Sequence, residues 1–192
     1  MKRSSTCGTR RIALCFVLIV TAVTAYGCGG TKSASSSPSD AKSLLGRDWM
    51  RIALKAHMSL AAEKQRGGDA DRIEMLANQA RRAYEEASRD SETRVDALFA
   101  SGQLERLLGD TAAAMERWER VVGDSEARHS LAHLSALKSM GDVSRAEGEI
   151  SAAKKYYRAI IEEFGSDSPA APLVETTVGT ARRLLGEGEP GS

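Results

Sequence analysis

The chain of 192 residues has few cysteines and few prolines, and both shortages limit the architectures that it can adopt. It contains 3 cysteines, and two of them, Cys7 and Cys15, lie close to the N-terminus. If that segment is cleaved off, Cys28 is the one cysteine left, and no disulfide within the mature chain can form. None of the 4 prolines interrupts a long periodic segment, so these segments are free to form uninterrupted helices.

Long hydrophobic runs are also scarce, and the one that stands out lies near the N-terminus. Basic residues precede an apolar run over 12–23, and Gly27 precedes Cys28. The run is shorter than the roughly 20 residues that a transmembrane helix needs. A basic start, an apolar centre and a small residue before the cleavage position are typical of a secretory signal. We therefore predict that residues 1–27 are a signal peptide.

The junction at Cys28 resembles a bacterial lipoprotein signal, in which the cysteine after a small residue receives lipid. The resemblance implies that acyl chains on Cys28 anchor the mature chain in a membrane. The residue after Cys28 is Gly29 and not an aspartate, and in this respect the chain resembles lipoproteins that are sorted to the outer membrane. We expect a lipid-anchored protein of the bacterial cell envelope, in the outer membrane and facing the periplasm. The alternative is a secreted protein with a free thiol at its N-terminus.

The chain lacks a large excess of charge of either sign, and this argues against a nucleic-acid partner. It has 27 basic and 26 acidic side chains, and residues 1–27 hold four of the basic ones and none of the acidic ones. The chain from Cys28 onward therefore has a formal charge of −3. Proteins that bind nucleic acids usually carry clustered positive charge, and no basic block is present here.

Composition divides the mature chain into a tether, a helical domain and a tail. Residues 28–40 hold Cys28 and a stretch rich in serine and glycine, which we predict to be a flexible tether because it cannot form a core. Residues 41–186 are rich in alanine, leucine, arginine and glutamate, which favour helices. Residues 187–192 are predicted to be a disordered tail.

Apolar residues at spacings of three and four predict an all-α fold of about seven helices. Gly67, Gly109 and Gly148 mark turns between the helices. Ser91 and Ser125 are the predicted N-caps of the third and fifth helices. The predicted ranges are 41–66, 70–89, 91–108, 111–122, 125–146, 150–164 and 169–186.

The predicted helices form pairs that repeat along the chain. In each pair, glycines in and after the first helix are followed by small, aromatic and apolar residues on the second. The set in the third and fourth helices is Gly102, Gly109, Ala114, Trp118 and Val121. The set in the fifth and sixth helices, 39 residues later, is Gly141, Gly148, Ala153, Tyr157 and Ile160. The second helix carries a partial set, Ala80, Tyr84 and Ala87, which lies 34 residues before Ala114, Trp118 and Val121.

This pattern resembles the tetratricopeptide repeat, a hairpin of two helices that stacks on its neighbours. The resemblance implies a stack of helical hairpins that acts as an adaptor or scaffold and binds a protein partner. Lipoproteins with such repeats serve barrel-protein assembly, pilus secretin assembly and cell-wall synthesis. Glu105 and Ser144 depart from the pattern, since the family usually has an aromatic residue there. Trp118 and Tyr157 are predicted to lie in the core.

The family's concave surface corresponds here to six residues on the third and fifth helices. They are Phe99, Gln103, Arg106, Lys138, Asp142 and Arg145. An aromatic side chain among hydrogen-bond donors suits an extended or helical segment of a partner protein. The alternative is a solvated face without a partner.

Signals for catalysis are scarce, since the chain has no phosphate-binding loop, zinc-protease helix or nucleophile elbow. We therefore predict no catalytic residue, no metal and no cofactor. His129 and His133 are four residues apart and could share a helix face, so a metal or small-ligand carrier is the alternative function; an unrecognised enzyme is favoured less. The pairs at 81–82, 85–86 and 162–163 are interpreted as solvated helix charges.

Overall fold

The computed structural model describes residues 38–165 and 172–186, and apart from the turns these are helical. Its described residues contain seven α-helices and no strand, which confirms the predicted fold class. The helices are α1 (Pro38–Gln65), α2 (Ala70–Ala87), α3 (Arg94–Leu108), α4 (Thr111–Val122), α5 (Leu131–Ala146), α6 (Ile150–Phe164) and α7 (Pro172–Leu185). No described helix combines the length and the apolar character that crossing a bilayer requires.

The first described helix overlaps the end of the predicted tether. Helix α1 begins at Pro38, so it includes the last three residues of the predicted tether, and proline is well suited to a first helical position. The predicted signal peptide, Cys28, Pro169 and the predicted tail lie outside the described residues.

The predicted cap of the third helix is wrong. Helix α3 begins at Arg94 after the cap position Thr93, whose hydroxyl donates to the carbonyl of Ala87 at 2.6 Å instead of capping the helix. Three residues earlier, the Asp90 carboxylate accepts from the backbone N–H of Glu92 at 2.9 Å. This local bond holds the segment around Ser91 in a turn, because aspartate side chains compete with helical backbone bonds.

The fifth helix also starts later than predicted. Ser125–Ala127 form a short 3₁₀ turn, which Asp124 caps by accepting from the N–H of Glu126 at 2.9 Å. His129 then has a φ of 63°, a left-handed conformation that ends any helical run. Ser130 is the actual N-cap of α5, and its hydroxyl accepts from the N–H of His133 at 3.1 Å.

The core is built from consecutive helices. Each helix packs on the next one in the chain, and α3 also contacts α1 and α5, while α5 contacts α7. Three buried clusters follow this order: one among α1, α2 and α3, one among α3, α4 and α5, and one among α5, α6 and α7. Helices α3 and α5 therefore each contribute to two clusters.

Two glycines make room for two aromatic side chains of this core. A Cβ added to Gly102 would lie 2.3 Å from Nε1 of Trp118, and a Cβ added to Gly141 would lie 2.7 Å from Cε1 of Tyr157. Trp118 is 0 % exposed and Tyr157 is buried too, which confirms both as core residues. The three atoms nearest to the missing Cβ of Gly102 all belong to Trp118.

Candidate protein-binding site

The six residues predicted to bind a partner lie on two helices that are side by side. Gln103 on α3 donates through Nε2 to the hydroxyl of Ser139 on α5, at 3.0 Å. Each helix carries three of the six at spacings of four and three, so the three share one helical face. We call this set the α3–α5 face; its members are Phe99, Gln103, Arg106, Lys138, Asp142 and Arg145.

The α5 half of this face is organised around one carboxylate. Asp142 accepts from the ammonium of Lys138 at one oxygen and from the hydroxyl of Tyr157 at the other, the latter at 2.8 Å. Burial and the bond to Asp142 raise the pKa of Tyr157 to about 12, although Arg145 acts in the opposite direction. Asp142 is thus held by two donors, while Arg145 is exposed on the same face.

The α3 half of the face combines the aromatic Phe99 with Gln103 and Arg106. Phe99 is half-buried and packs against the cluster around Trp118, whose indole N–H donates to the Phe99 carbonyl at 3.3 Å. Only part of its ring surface can serve as an anchor for a partner. Arg106 is exposed, and its side chain has no hydrogen bond or ion pair within the described part of the chain. The exposed donors of the face are therefore its arginines.

The two histidines of the alternative function do not share a helix face as predicted. His129 is exposed and precedes α5, whereas His133 lies inside α5 and is 2 % exposed. Both rings pack against Phe164, with centroids 5.9 and 6.0 Å away. The described ranges hold no group of three or more His, Cys, Asp or Glu residues that could bind a metal.

His133 instead contacts Glu163, for which the sequence predicts a solvated charge. Nε2 of His133 lies 3.1 Å from Oε2 of Glu163 on α6, and the Glu163 side chain is 25 % exposed. Burial lowers the pKa of His133, and the nearby carboxylate opposes that shift only in part. A neutral imidazole at neutral pH follows, because desolvation disfavours the charged ring.

Sequence reasoning missed an ion pair inside the domain. Glu105 is 4 % exposed, and Arg81 on α2 donates to both of its oxygens, from Nε at 2.9 Å and from Nη2 at 2.6 Å. The sequence predicts a solvated charge at Arg81, and its side chain is indeed 43 % exposed, but its guanidinium is also paired with this carboxylate. The signal was Glu105 itself, a charged residue at a position where the repeat pattern expects a buried side chain, because a buried charge requires a partner.

A groove of about 690 Å³ lies between α1 and α2. Trp49, Ile52 and Met75 supply its apolar lining, and Arg82 and Glu86 are among its polar lining residues. Its position on the first helix pair separates it from the α3–α5 face.

The α3–α5 face offers guanidinium, ammonium and amide donors beside a carboxylate that is already paired. This set can hydrogen-bond the carbonyl and carboxylate groups of a protein segment. Comparison of the chain with protein-family models, curated proteins and solved structures found no match. The function is therefore argued from the geometry of the chain's own residues.

Proposed function

We propose that the protein is a membrane-anchored adaptor of the bacterial cell envelope, built of tetratricopeptide-like hairpins, which binds a protein partner on the α3–α5 face. The observation that carries this proposal is the hydrogen bond between Gln103 and Ser139, because it places the two halves of the face side by side. A continuous surface on two helices is the kind of site that accepts an extended or helical segment.

The contacts between helices support stacked hairpins. In such a stack each hairpin touches its neighbours only, and one kind of helix lines a common face. Here α1, α3, α5 and α7 touch in succession, and the buried clusters follow the chain order. The glycine–aromatic pairs Gly102–Trp118 and Gly141–Tyr157 give two hairpins the same internal packing.

The charge of the face indicates the chemistry of the partner. Arg106 and Arg145 are exposed, whereas the carboxylate of Asp142 is already bonded to Lys138 and Tyr157. A segment with acidic side chains or a free C-terminal carboxylate would match these arginines. Barrel-protein assembly, pilus secretin assembly and cell-wall synthesis are the envelope processes in which we place such a partner.

Reversing the charge of this face tests the proposal. We expect Arg106→Glu with Arg145→Glu to reduce recovery of the partner from crosslinked envelopes by about tenfold, because two favourable contacts become repulsive. Partner recovery is measured by affinity purification and quantitative mass spectrometry.

The matched control is Lys154→Glu with Arg158→Glu, two exposed positions on α6. It makes the same change of charge away from the face and should leave recovery unchanged. Circular dichroism confirms that both variants fold. Equal recovery with the two double variants would rule out the α3–α5 face.

The membrane anchor has its own test at Cys28. We expect Cys28→Ser to move the protein from the membrane fraction to the soluble fraction, because no acyl chain can be attached. Cys7→Ser, a change inside the predicted signal peptide, is the control and should leave the protein with the membranes. Retention of the Cys28→Ser variant in the membrane fraction would contradict lipid anchoring.

A further inference from the structure

A second cleft, of about 550 Å³, lies between α2 and α4, with α3 at its base. Ser101 and Glu105 of α3 line it, whereas Gln103 belongs to the α3–α5 face. Successive helical residues are 100° apart, so Ser101 and Glu105 point to one side of α3 and Gln103 points to the opposite side. We call it the α2–α4 cleft. It is distinct from the proposed partner-binding site.

Arginines dominate the lining of the α2–α4 cleft. Four arginines line it, Arg81, Arg89, Arg117 and Arg120, beside two glutamates, so the lining has a formal charge of +2. A positive cleft in a chain whose mature part has a formal charge of −3 is a local concentration of charge that the overall composition does not predict. Clefts lined by one sign of charge attract ions of the opposite sign.

The four arginines differ in how much of their hydrogen-bonding capacity is used. Arg81 is held by both oxygens of Glu105, and Arg89 is paired with Glu86 at 2.6 Å. Arg117 and Arg120 on α4 have no hydrogen bond or ion pair with any residue that the structure describes. Two guanidinium groups are thus free to bind a ligand, and Arg81 adds a cation whose position is fixed by a buried carboxylate.

Ser101 adds a hydroxyl to the lining of the α2–α4 cleft. Ser101 is 8 % exposed and lines the cleft, and its hydroxyl has no hydrogen-bond partner among the described residues. This hydroxyl opens on the cleft and is available to hydrogen-bond a bound group. Ser88 differs, since its hydroxyl donates to the carbonyl of Glu85 at 2.8 Å.

We propose that the α2–α4 cleft binds a phosphate group, held by Arg117, Arg120 and the hydroxyl of Ser101. Guanidinium groups match the oxygens of phosphate with paired N–H bonds, and a doubly charged anion balances the charge of the lining. The phosphate belongs either to a small soluble ester or to the headgroup of a phospholipid, which the predicted anchor would bring close.

The test uses the full chain with Cys28→Ser, so that no acyl chain contributes to membrane binding. Inorganic phosphate and glycerol 1-phosphate are titrated by calorimetry, and vesicles of phosphatidylcholine with or without phosphatidylglycerol are tested by co-sedimentation. We expect Arg117→Gln with Arg120→Gln to weaken binding by at least about tenfold, since two charge-assisted bonds are lost. Ser101→Ala should weaken it by about threefold.

The matched control is Arg106→Gln with Arg145→Gln on the α3–α5 face, which should leave phosphate binding unchanged. This control also separates the proposal from the proposed function. Partner capture should fail with Arg106→Gln and Arg145→Gln, whereas phosphate binding should fail with Arg117→Gln and Arg120→Gln. Binding of soluble phosphates assigns a small ester as the source, and binding only to vesicles with phosphatidylglycerol assigns a headgroup. The proposal is overturned if neither probe binds, or if Arg117→Gln with Arg120→Gln binds as tightly as the parent.

Discussion

At the scale of single residues, the absence of a side chain matters as much as the presence of one. Trp118 is fully buried because Gly102 leaves space for its indole ring, and Gly141 does the same for Tyr157. Each glycine precedes its aromatic partner by 16 residues. The sequence repeat between the two hairpins is therefore a repeat of one packing arrangement.

Replacing these glycines should separate packing from helix propensity. We expect Gly102→Ala to lower the free energy of unfolding by about 1–3 kcal/mol, because the new Cβ would overlap the Trp118 ring. In an open helix the same change stabilises by about 1 kcal/mol. Gly179 in α7 is the matched control, since the nearest atom to an added Cβ there is 3.8 Å away.

Urea denaturation of the two variants measures both effects. Gly179→Ala should be as stable as the parent or more stable, and Gly102→Ala should be clearly less stable. If Gly102→Ala raised the stability, the close contact with Trp118 would not exist in solution.

Residue types alone predicted the buried aromatics but not the ion pair of the buried Glu105. Trp118 and Tyr157 stand at repeated apolar positions, so their burial follows from periodicity. The contact of Arg81 with Glu105 joins α2 to α3 over 24 positions of sequence, and no local pattern encodes it. The contact depends on the relative placement of these two helices.

At the scale of helices, the ends that depend on a glycine turn were predictable. The predicted ranges 111–122 and 150–164 coincide with α4 and α6, because Gly109 and Gly148, with φ of 93° and 83°, end the preceding segments. The starts of α3 and α5 were not predictable in the same way. Aspartates before both helices bind backbone N–H groups two residues ahead and delay the helix.

The packing of α5 against α6 should make stability sensitive to alkaline pH. The pKa of Tyr157 is raised to about 12 in the folded protein, from about 10 in an unfolded chain. The unfolded state therefore loses this proton first, and stability is full below about pH 10 and declines as the pH rises toward about 12.

Tyr157→Phe isolates this contribution. The variant should be less stable than the parent at pH 8, since it lacks the bond to Asp142, but its stability should decline less between about pH 10 and 12. Some decline remains, because burial also raises the pKa of Tyr84. Urea denaturation at each pH gives the comparison, and parallel pH profiles would show that Tyr157 does not titrate as proposed.

At the scale of the whole molecule, successive packing of helices brings distant residues into common surfaces. Gln103 and Ser139, 36 residues apart, meet because α3 and α5 are neighbours. The repeat predicted that neighbourhood, so the α3–α5 face could be proposed from sequence. The α2–α4 cleft could not, since arginines on separate helices gave no local signal and were individually typical of solvated positions.

The most direct test of the adaptor proposal is site-specific photo-crosslinking in the cells that make the protein. A photo-reactive amino acid is placed at Arg106 or Arg145 on the α3–α5 face, and at Glu116 or Arg158 on exposed surfaces of α4 and α6. We predict that positions 106 and 145 form an adduct with one and the same protein and that positions 116 and 158 do not. No adduct at 106 and 145, or equal adducts at all four positions, would contradict partner binding on this face.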